Sequence, residues 1–337
     1  MLKNILKRNF MFKKCLSVLL TAFLVCGMFS GCNQKDENTV VIYSSSEDFR
    51  NEYITEQLKE RFPEYHIRLL YLPTGKNAAK VKSEGKNSKA DIILGLETGY
   101  LTSIQEHLAD LSEYDTSNYL EDMIPRNHKY LGWDRYSGSI IINPKMMEEK
   151  NLPVPKSYED LLDPVYKDLI CMPNPKASST GYMFLKNLCN AWGEDKAFDY
   201  FDKLAENIYQ FTSSGSGPVN ALVQGEAAIG LGMTFQAVEQ INKGVPLEIL
   251  YFEEGSPYST GGMAVIDGRL ENKAVKDVFD FLANTIVYKD KENFCPEQIF
   301  KDQVNSTPNY PQHIPYADMS GLENLNDKTR LLEKWRF

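Results

Sequence analysis

Three hydroxyl clusters stand where helices are predicted to begin: Ser44-Ser45-Ser46, Ser178-Ser179-Thr180-Gly181 and Ser213-Ser214-Gly215-Ser216. The first turn of a helix leaves backbone N–H groups unpaired and carries the positive end of the dipole, so it attracts an anion. One such cluster reads as ordinary N-capping by Ser or Thr. Recurrence in the same local context points instead to an anionic ligand held by neutral donors. Thr234, opening a further predicted helix, offers another hydroxyl by the same logic.

Catalytic chemistry is thinly represented. The four histidines (His66, His107, His128, His313) lie beside no Ser or Cys motif, and no G-x-S-x-G elbow is present. Ser83-Glu84-Gly85-Lys86 matches S-x-x-K by letter, in a Lys-rich polar stretch without its partner motifs. No H-E-x-x-H, Walker or dinucleotide fingerprint occurs. No catalytic residue, metal or cofactor is therefore expected, and a lipid-anchored hydrolase is the remoter alternative.

The amino terminus carries Lys3, Lys7, Arg8, Lys13 and Lys14, then an apolar run from Cys15 to Phe29 and the small residues Ser30-Gly31-Cys32. A basic region, a short apolar region and small residues before a cut site describe a secretory signal peptide over 1–31. Ser30-Gly31-Cys32 resembles the bacterial lipobox, with Cys32 as the lipidated first residue and 32–38 as a polar tether. A lipid there holds a domain at the cell membrane, extracytoplasmic, without spanning it. Removal of the five basic residues takes the formal charge from −9 to −14. So acidic a body disfavours nucleic acid as a partner. Cys171, Cys189 and Cys295 remain, with no CxxC pattern and room for one disulfide at most.

Strands alternate with helices along the chain. Val40–Tyr43, Ile67–Tyr71 and Asp91–Gly95 read as strands, with a helix bearing Phe49, Tyr53, Ile54, Leu58 and Phe62 after the first. Ser45 and Asp48 fit a capping box. A weaker helix is expected from Ala79 to Gly85. Tyr136–Asn143 reads as a long strand and Leu169–Met172 as another, leading into the second hydroxyl cluster. A strong helix is predicted over Lys273–Val287. The alternation indicates an α/β fold with mainly parallel sheets, whose ligands sit beyond the carboxyl ends of the strands.

The lipobox, the strand before Ser44–Ser46, Gly225-Glu226-Ala227-Ala228-Ile229-Gly230 and Tyr251-Phe252-Glu253-Glu254-Gly255 together resemble an extracytoplasmic solute-binding protein of an ABC importer. The ferric-iron, 2-aminoethylphosphonate and hexose-phosphate branch is the most similar. The resemblance implies a two-lobed type II periplasmic-binding-protein fold with two hinge crossings, expected near Trp133–Gly138 and Tyr251–Gly262. It places 39–135 and 252–290 in one lobe and 136–251 and 291–337 in the other. It also implies a monomer that binds without chemistry and delivers to a membrane permease. The ferric branch uses adjacent tyrosines where this chain has Thr234-Phe235, which counts against iron, a hard ion that prefers anionic oxygen. A ferric or polyamine ligand is the alternative. The ligand expected from the hydroxyl clusters is a small organic phosphonate or phosphate ester, contacted by Ser44, Ser45, Ser46, Ser178, Ser179, Thr180, Gly181, Ser213, Ser214, Ser216 and Thr234. Glu254 is the candidate for the rest of that ligand, an amine or sugar hydroxyls. Glu97 is a weaker one, and Trp133 and Tyr136 stand near the first crossing. Asp91 is taken as structural.

Overall fold

The computed structural model describes residues 37–337. The expected signal peptide, Cys32 and most of the tether lie outside the described residues. Among the described residues nine strands are formed: β1 (Thr39–Ser44), β2 (His66–Tyr71), β3 (Ile92–Glu97), β4 (Leu131–Ile142), β5 (Ile170–Pro173), β6 (Ile208–Thr212), β7 (Ile229–Met233), β8 (Glu248–Leu250) and β9 (Tyr258–Val265). The helices are α1 (Asp48–Arg61), α2 (Thr74–Glu84), α3 (Thr98–Ser103), α4 (Pro144–Glu149), α5 (Ser179–Trp192), α6 (Glu194–Leu204), α7 (Gly217–Gln224), α8 (Thr234–Asn242), α9 (Lys273–Phe281), α10 (Val287–Asn293) and α11 (Leu325–Lys334). None of these is long and apolar enough to cross a membrane.

The strand order is β2-β1-β3-β9-β4-β7-β5-β6, with β8 also on β4. Pairing is parallel between β1 and β3 and between β5 and both β6 and β7. It is antiparallel wherever the connecting strands β4 and β9 take part. The fold is thus mixed α/β, with parallel pairing in the two wings and antiparallel pairing at the centre. Strand β3 is buried along almost its whole length, as a strand covered on both faces must be, which is why it reads as an unbroken apolar run.

Strand β4 belongs to both halves. Its first part, Leu131–Ser137, pairs with β9, and Gly138–Ile142 pairs with β7. The chain returns between β8, which pairs with Ile140–Ile142, and β9. These two passages divide the apolar interior into separate cores. One gathers Val40, Ile42, Ile54, Leu58, Ile92, Trp133, Val265 and Phe279. The other gathers Ile142, Tyr158, Met172, Phe184, Leu188, Phe201 and Ile229.

The tail does not sit wholly with the second core, contrary to expectation for 291–337. Ile299 and Phe300 pack into the first core, where Phe300 stacks on Tyr288 at 4.3 Å. Ala317, Met319, Leu331 and Trp335 pack into the second. The predicted single helix over Lys273–Val287 is α9 running into α10 through a π-helical turn, Leu282–Ile286. Leu282, Ala283, Ile286 and Val287 are all buried along it. The three remaining cysteines are buried and free.

Candidate ligand-binding site

A cavity of about 780 Å³ lies between the two cores. The first half contributes Ser45, Ser46, Glu47, Thr74, Gly75, Lys76, Gly95 and Asp134, and the second contributes Ser178, Ser179, Thr180, Ser213, Ser214 and Ser216. Tyr136, on the crossing strand itself, also lines it.

Helix starts dominate its walls. In α5 the first helical hydrogen bond runs from Tyr182 N–H to Ser178 O, so the amides of Ser179, Thr180 and Gly181 have no backbone acceptor. Ser178 stands at the N-cap yet makes no side-chain capping bond. Its hydroxyl is therefore not spent on the role that ordinary capping would give it. Helix α2 repeats the arrangement: Asn77 N–H donates to Pro73 O, and Thr74, Gly75 and Lys76 precede it uncapped. The two starts meet across the cleft, with Thr74 Oγ1 and Ser179 Oγ 3.1 Å apart.

The third cluster joins the second through Gly215. A Cβ there would fall 2.3 Å from Thr180 Oγ1, so only glycine admits this approach. Ser214 Oγ and Ser216 Oγ hydrogen-bond each other at 2.8 Å, and α7 begins uncapped immediately after. Lys76 and Lys176 line the cavity as well. Lys176 Nζ donates to Trp335 O at 2.6 Å.

Four expected contacts are not on the cavity lining. Ser44 is buried, donating from Oγ to Asn51 Oδ1 at 2.6 Å and accepting from Ser46 N–H. Gly181 is packed inside α5, where a Cβ would meet Pro173 O at 2.4 Å. Thr234 is fully buried and accepts from Ser137 Oγ at 3.0 Å, and Phe235 beside it is buried too. Glu254 turns toward the second core, accepting from Trp192 Nε1 at 3.1 Å. The capping box does not form either: the N-cap of α1 is Glu47, while Ser45 Oγ donates to Leu72 O and accepts from Asn77 Nδ2. Trp133 is buried in the first core, and Asp91 accepts Val41 N–H at 2.7 Å. Glu97, the weaker candidate for the rest of the ligand, is buried and paired with Lys328 at 3.2 Å.

Sequence reasoning missed several lining groups. Thr74-Gly75 follows Pro73 as the other clusters follow their strands, and the same hydroxyl-at-a-helix-start signal was available there. Arg50 and Asp134 had no local signal. Arg50 donates to Asp290 at 2.8 and 2.9 Å and to Asp134 Oδ2 at 2.7 Å, and it pairs with Glu47 at 3.1 Å. Burial works against its charge, but Asp290, Asp134 and Glu47 outweigh that and hold its pKa well above the ordinary value. Burial likewise pushes Asp290 upward, yet Arg50 and Lys291 draw it below the usual carboxylate range. Burial raises Glu47 despite Arg50. Lys328, from α11, lies 4.7 Å from the Tyr100 ring and 4.6 Å from the Tyr182 ring, a cation clasped between residues of both halves.

Comparison with known proteins gives the frame. The model of the family described as bacterial extracellular solute-binding protein matches residues 87–315. A protein of Haemophilus influenzae described as uncharacterized is 27% identical over 270 residues, 76% of each chain. The spermidine/putrescine-binding periplasmic protein of Salmonella typhimurium is 22% identical over 347 residues, covering 94% of this chain and 96% of the relative. Among solved structures, the periplasmic binding protein AfuA of Actinobacillus pleuropneumoniae, with exogenous fructose-6-phosphate bound, superposes with a TM-score of 0.77. It is 22% identical, with 88% of this chain and 97% of that one covered.

Proposed function

We propose that this chain, which belongs to the bacterial extracellular solute-binding protein family, captures a small organic phosphonate or phosphate ester in its cleft. Members of this family deliver their solutes to ABC permeases. Binding without chemistry is the whole task, and no residue is assigned a catalytic role. Lipid on Cys32 holds the monomeric domain at the outer face of the cell membrane, near the permease.

The observation that carries the reading is the meeting of α2 and α5 across the cleft. Two helix starts facing each other bring two positive dipole ends together, which is unfavourable unless a negative group lies between them. The free amides of Ser179 and Thr180, the hydroxyls of Thr74, Ser178, Ser179, Thr180, Ser213, Ser214 and Ser216, and Lys76 give a three-oxygen anion enough donors. Neutral donors also suit a protein that must release what it binds. Closure of the two halves about β4 and the β8–β9 passage requires a ligand that touches both, and this one does.

A thermal-shift series on the purified protein tests the reading, with 2-aminoethylphosphonate, hexose phosphates, glycerol phosphate, inorganic phosphate, spermidine and ferric citrate. A ligand at about 100 times its dissociation constant adds about 2.7 kcal/mol of stability, a shift of a few degrees. Shifts confined to phosphorylated or phosphonate compounds are expected. A shift with spermidine or ferric citrate alone would replace the reading with a polyamine or iron cargo.

A further inference from the structure

Among the described residues the chain runs between the two cores three times, not two. Ile299 and Phe300 belong to the first core and Ala317 and Met319 to the second, so the stretch 300–317 crosses from one to the other. This third passage lies against the second. Ser256 N–H donates to Pro315 O at 2.7 Å, and Ala317 N–H donates to Ser256 O at 2.9 Å. Gly255 permits the approach: its φ is +82°, and a Cβ there would meet Pro315 O at 2.8 Å.

All three passages converge on one carboxylate. Glu297 is 3% exposed. It accepts from Ser137 N–H at 2.8 Å, Ser137 Oγ at 2.6 Å, Tyr310 Oη at 2.9 Å and Tyr316 Oη at 2.8 Å. Ser137 is the residue at which β4 leaves β9 for β7. Tyr316 sets its ring edge-on to Tyr258, at the start of β9, with 5.1 Å between centroids. Burial pushes the Glu297 pKa up, and the bonds from Ser137, Tyr316 and Tyr310 work against that. A carboxylate so placed keeps its charge only while those donors stay in reach.

The donors do not all travel with Glu297. On its own side, Ile299 sits in the first core and accepts from Leu120 N–H at 2.9 Å. Tyr310 instead packs beside Phe235 and Val238 of α8, and Asn309 Nδ2 donates to Asn242 Oδ1 at 2.7 Å at the end of that helix. Ser137 Oγ also lies 3.0 Å from Thr234 Oγ1, where α8 begins. These bonds therefore join the first half to the second. They are complete in the arrangement in which Thr74 meets Ser179 across the cleft. Rotating the halves apart carries α8 and Tyr310 away from Glu297. Neither Glu297, Ser137, Tyr310 nor Tyr316 lines the cavity.

We propose that Glu297, with Ser137, Tyr310 and Tyr316, is a staple that holds the two halves in the closed arrangement from outside the cavity. Glu297 is a positioning residue. It acts by setting the fraction of molecules whose halves already face each other, and that fraction scales the apparent affinity for any solute. The inference goes beyond the function proposed above and does not depend on which solute is bound.

Small-angle X-ray scattering of the purified protein without solute tests it. Tyr310→Phe removes one hydroxyl and keeps the ring, while Glu297→Gln removes the charge. Each variant is expected to have a larger radius of gyration than the wild type at unchanged mass. Leu188→Ala, which weakens the second core from within α5, should lower the melting temperature and leave the radius as it is. An unchanged or smaller radius in Tyr310→Phe overturns the staple, and so does an equal increase in Leu188→Ala. No ligand enters the experiment, so its failure bears on the hinge alone and leaves the phosphonate or phosphate ester reading to the thermal-shift series.

Discussion

Thr74 Oγ1 and Ser179 Oγ stand 3.1 Å apart although 105 residues and two separate cores divide them. Each hydroxyl belongs to the first residue of a helix with an uncapped start, α2 on one side and α5 on the other. The contact therefore marks where two anion-seeking ends converge, and the cleft is built around it.

Removing either partner should weaken solute capture. Ser179→Ala and Thr180→Ala are each expected to lower affinity for a phosphate or phosphonate ligand by about tenfold, the loss of roughly one good hydrogen bond to an anion. Thr74→Val, of similar shape, should do the same from the other wall. Calorimetric titration reads all three, and unchanged dissociation constants would remove these residues from the site.

Gly215 lets the second and third hydroxyl clusters touch. With its Cβ only 2.3 Å from Thr180 Oγ1, Gly215→Ala must push the two loops apart. A cost of about 1–3 kcal/mol is expected for such overpacking, shared between stability and affinity. Paired thermal melts, with and without ligand, will show a smaller ligand-induced shift than in the wild type.

Lys328 ties α11 to the opposite half through buried Glu97. Lys328→Ala strands that carboxylate without its cation and should cost about 3–5 kcal/mol. Adding Glu97→Gln should recover a large part of the loss, because the uncompensated charge goes with it. Denaturant unfolding of the single and double variants decides whether the pair is coupled in this way.

The same helix is held on its outer side by Glu194, which accepts from Arg330 and Lys334. These hydrogen bonds lower the Glu194 pKa to about 2 from an ordinary 4.5. A depressed acid stabilises the folded state fully above its unfolded pKa and loses that contribution as pH falls through the folded value. The stability difference between wild type and Glu194→Gln should thus be present at pH 6 and shrink between about pH 4.5 and 2. Urea midpoints across that window measure it; because Glu194 is partly exposed, the effect is modest and screened by salt.

What the sequence disclosed follows from what is local. Strand runs such as Val40–Tyr43 and the hydroxyl groups at helix starts are encoded by adjacent residues, and they could be read directly. Ser44 and Ser46 could not be told apart by type alone. β1 ends at Ser44, so the alternation of a strand does not carry on to Ser46, and Ser44 turned inward to Asn51. Asp134, Arg50 and Lys328 gave no signal because their partners are 84, 240 and 231 residues away. Glu254 misled because a crossing was foreseen but not its facing. Its carboxylate follows Trp192 toward the second core.

Phosphorus NMR of a bound ligand tests the central claim most directly, since it reports on the group said to lie between α2 and α5. Titration of 2-aminoethylphosphonate or a hexose phosphate with the wild-type protein should give a shifted or broadened resonance that saturates. Ser179→Ala should need a higher protein concentration to produce it. A phosphorus resonance that never moves, or one that responds equally in the wild type and the variant, would contradict the account.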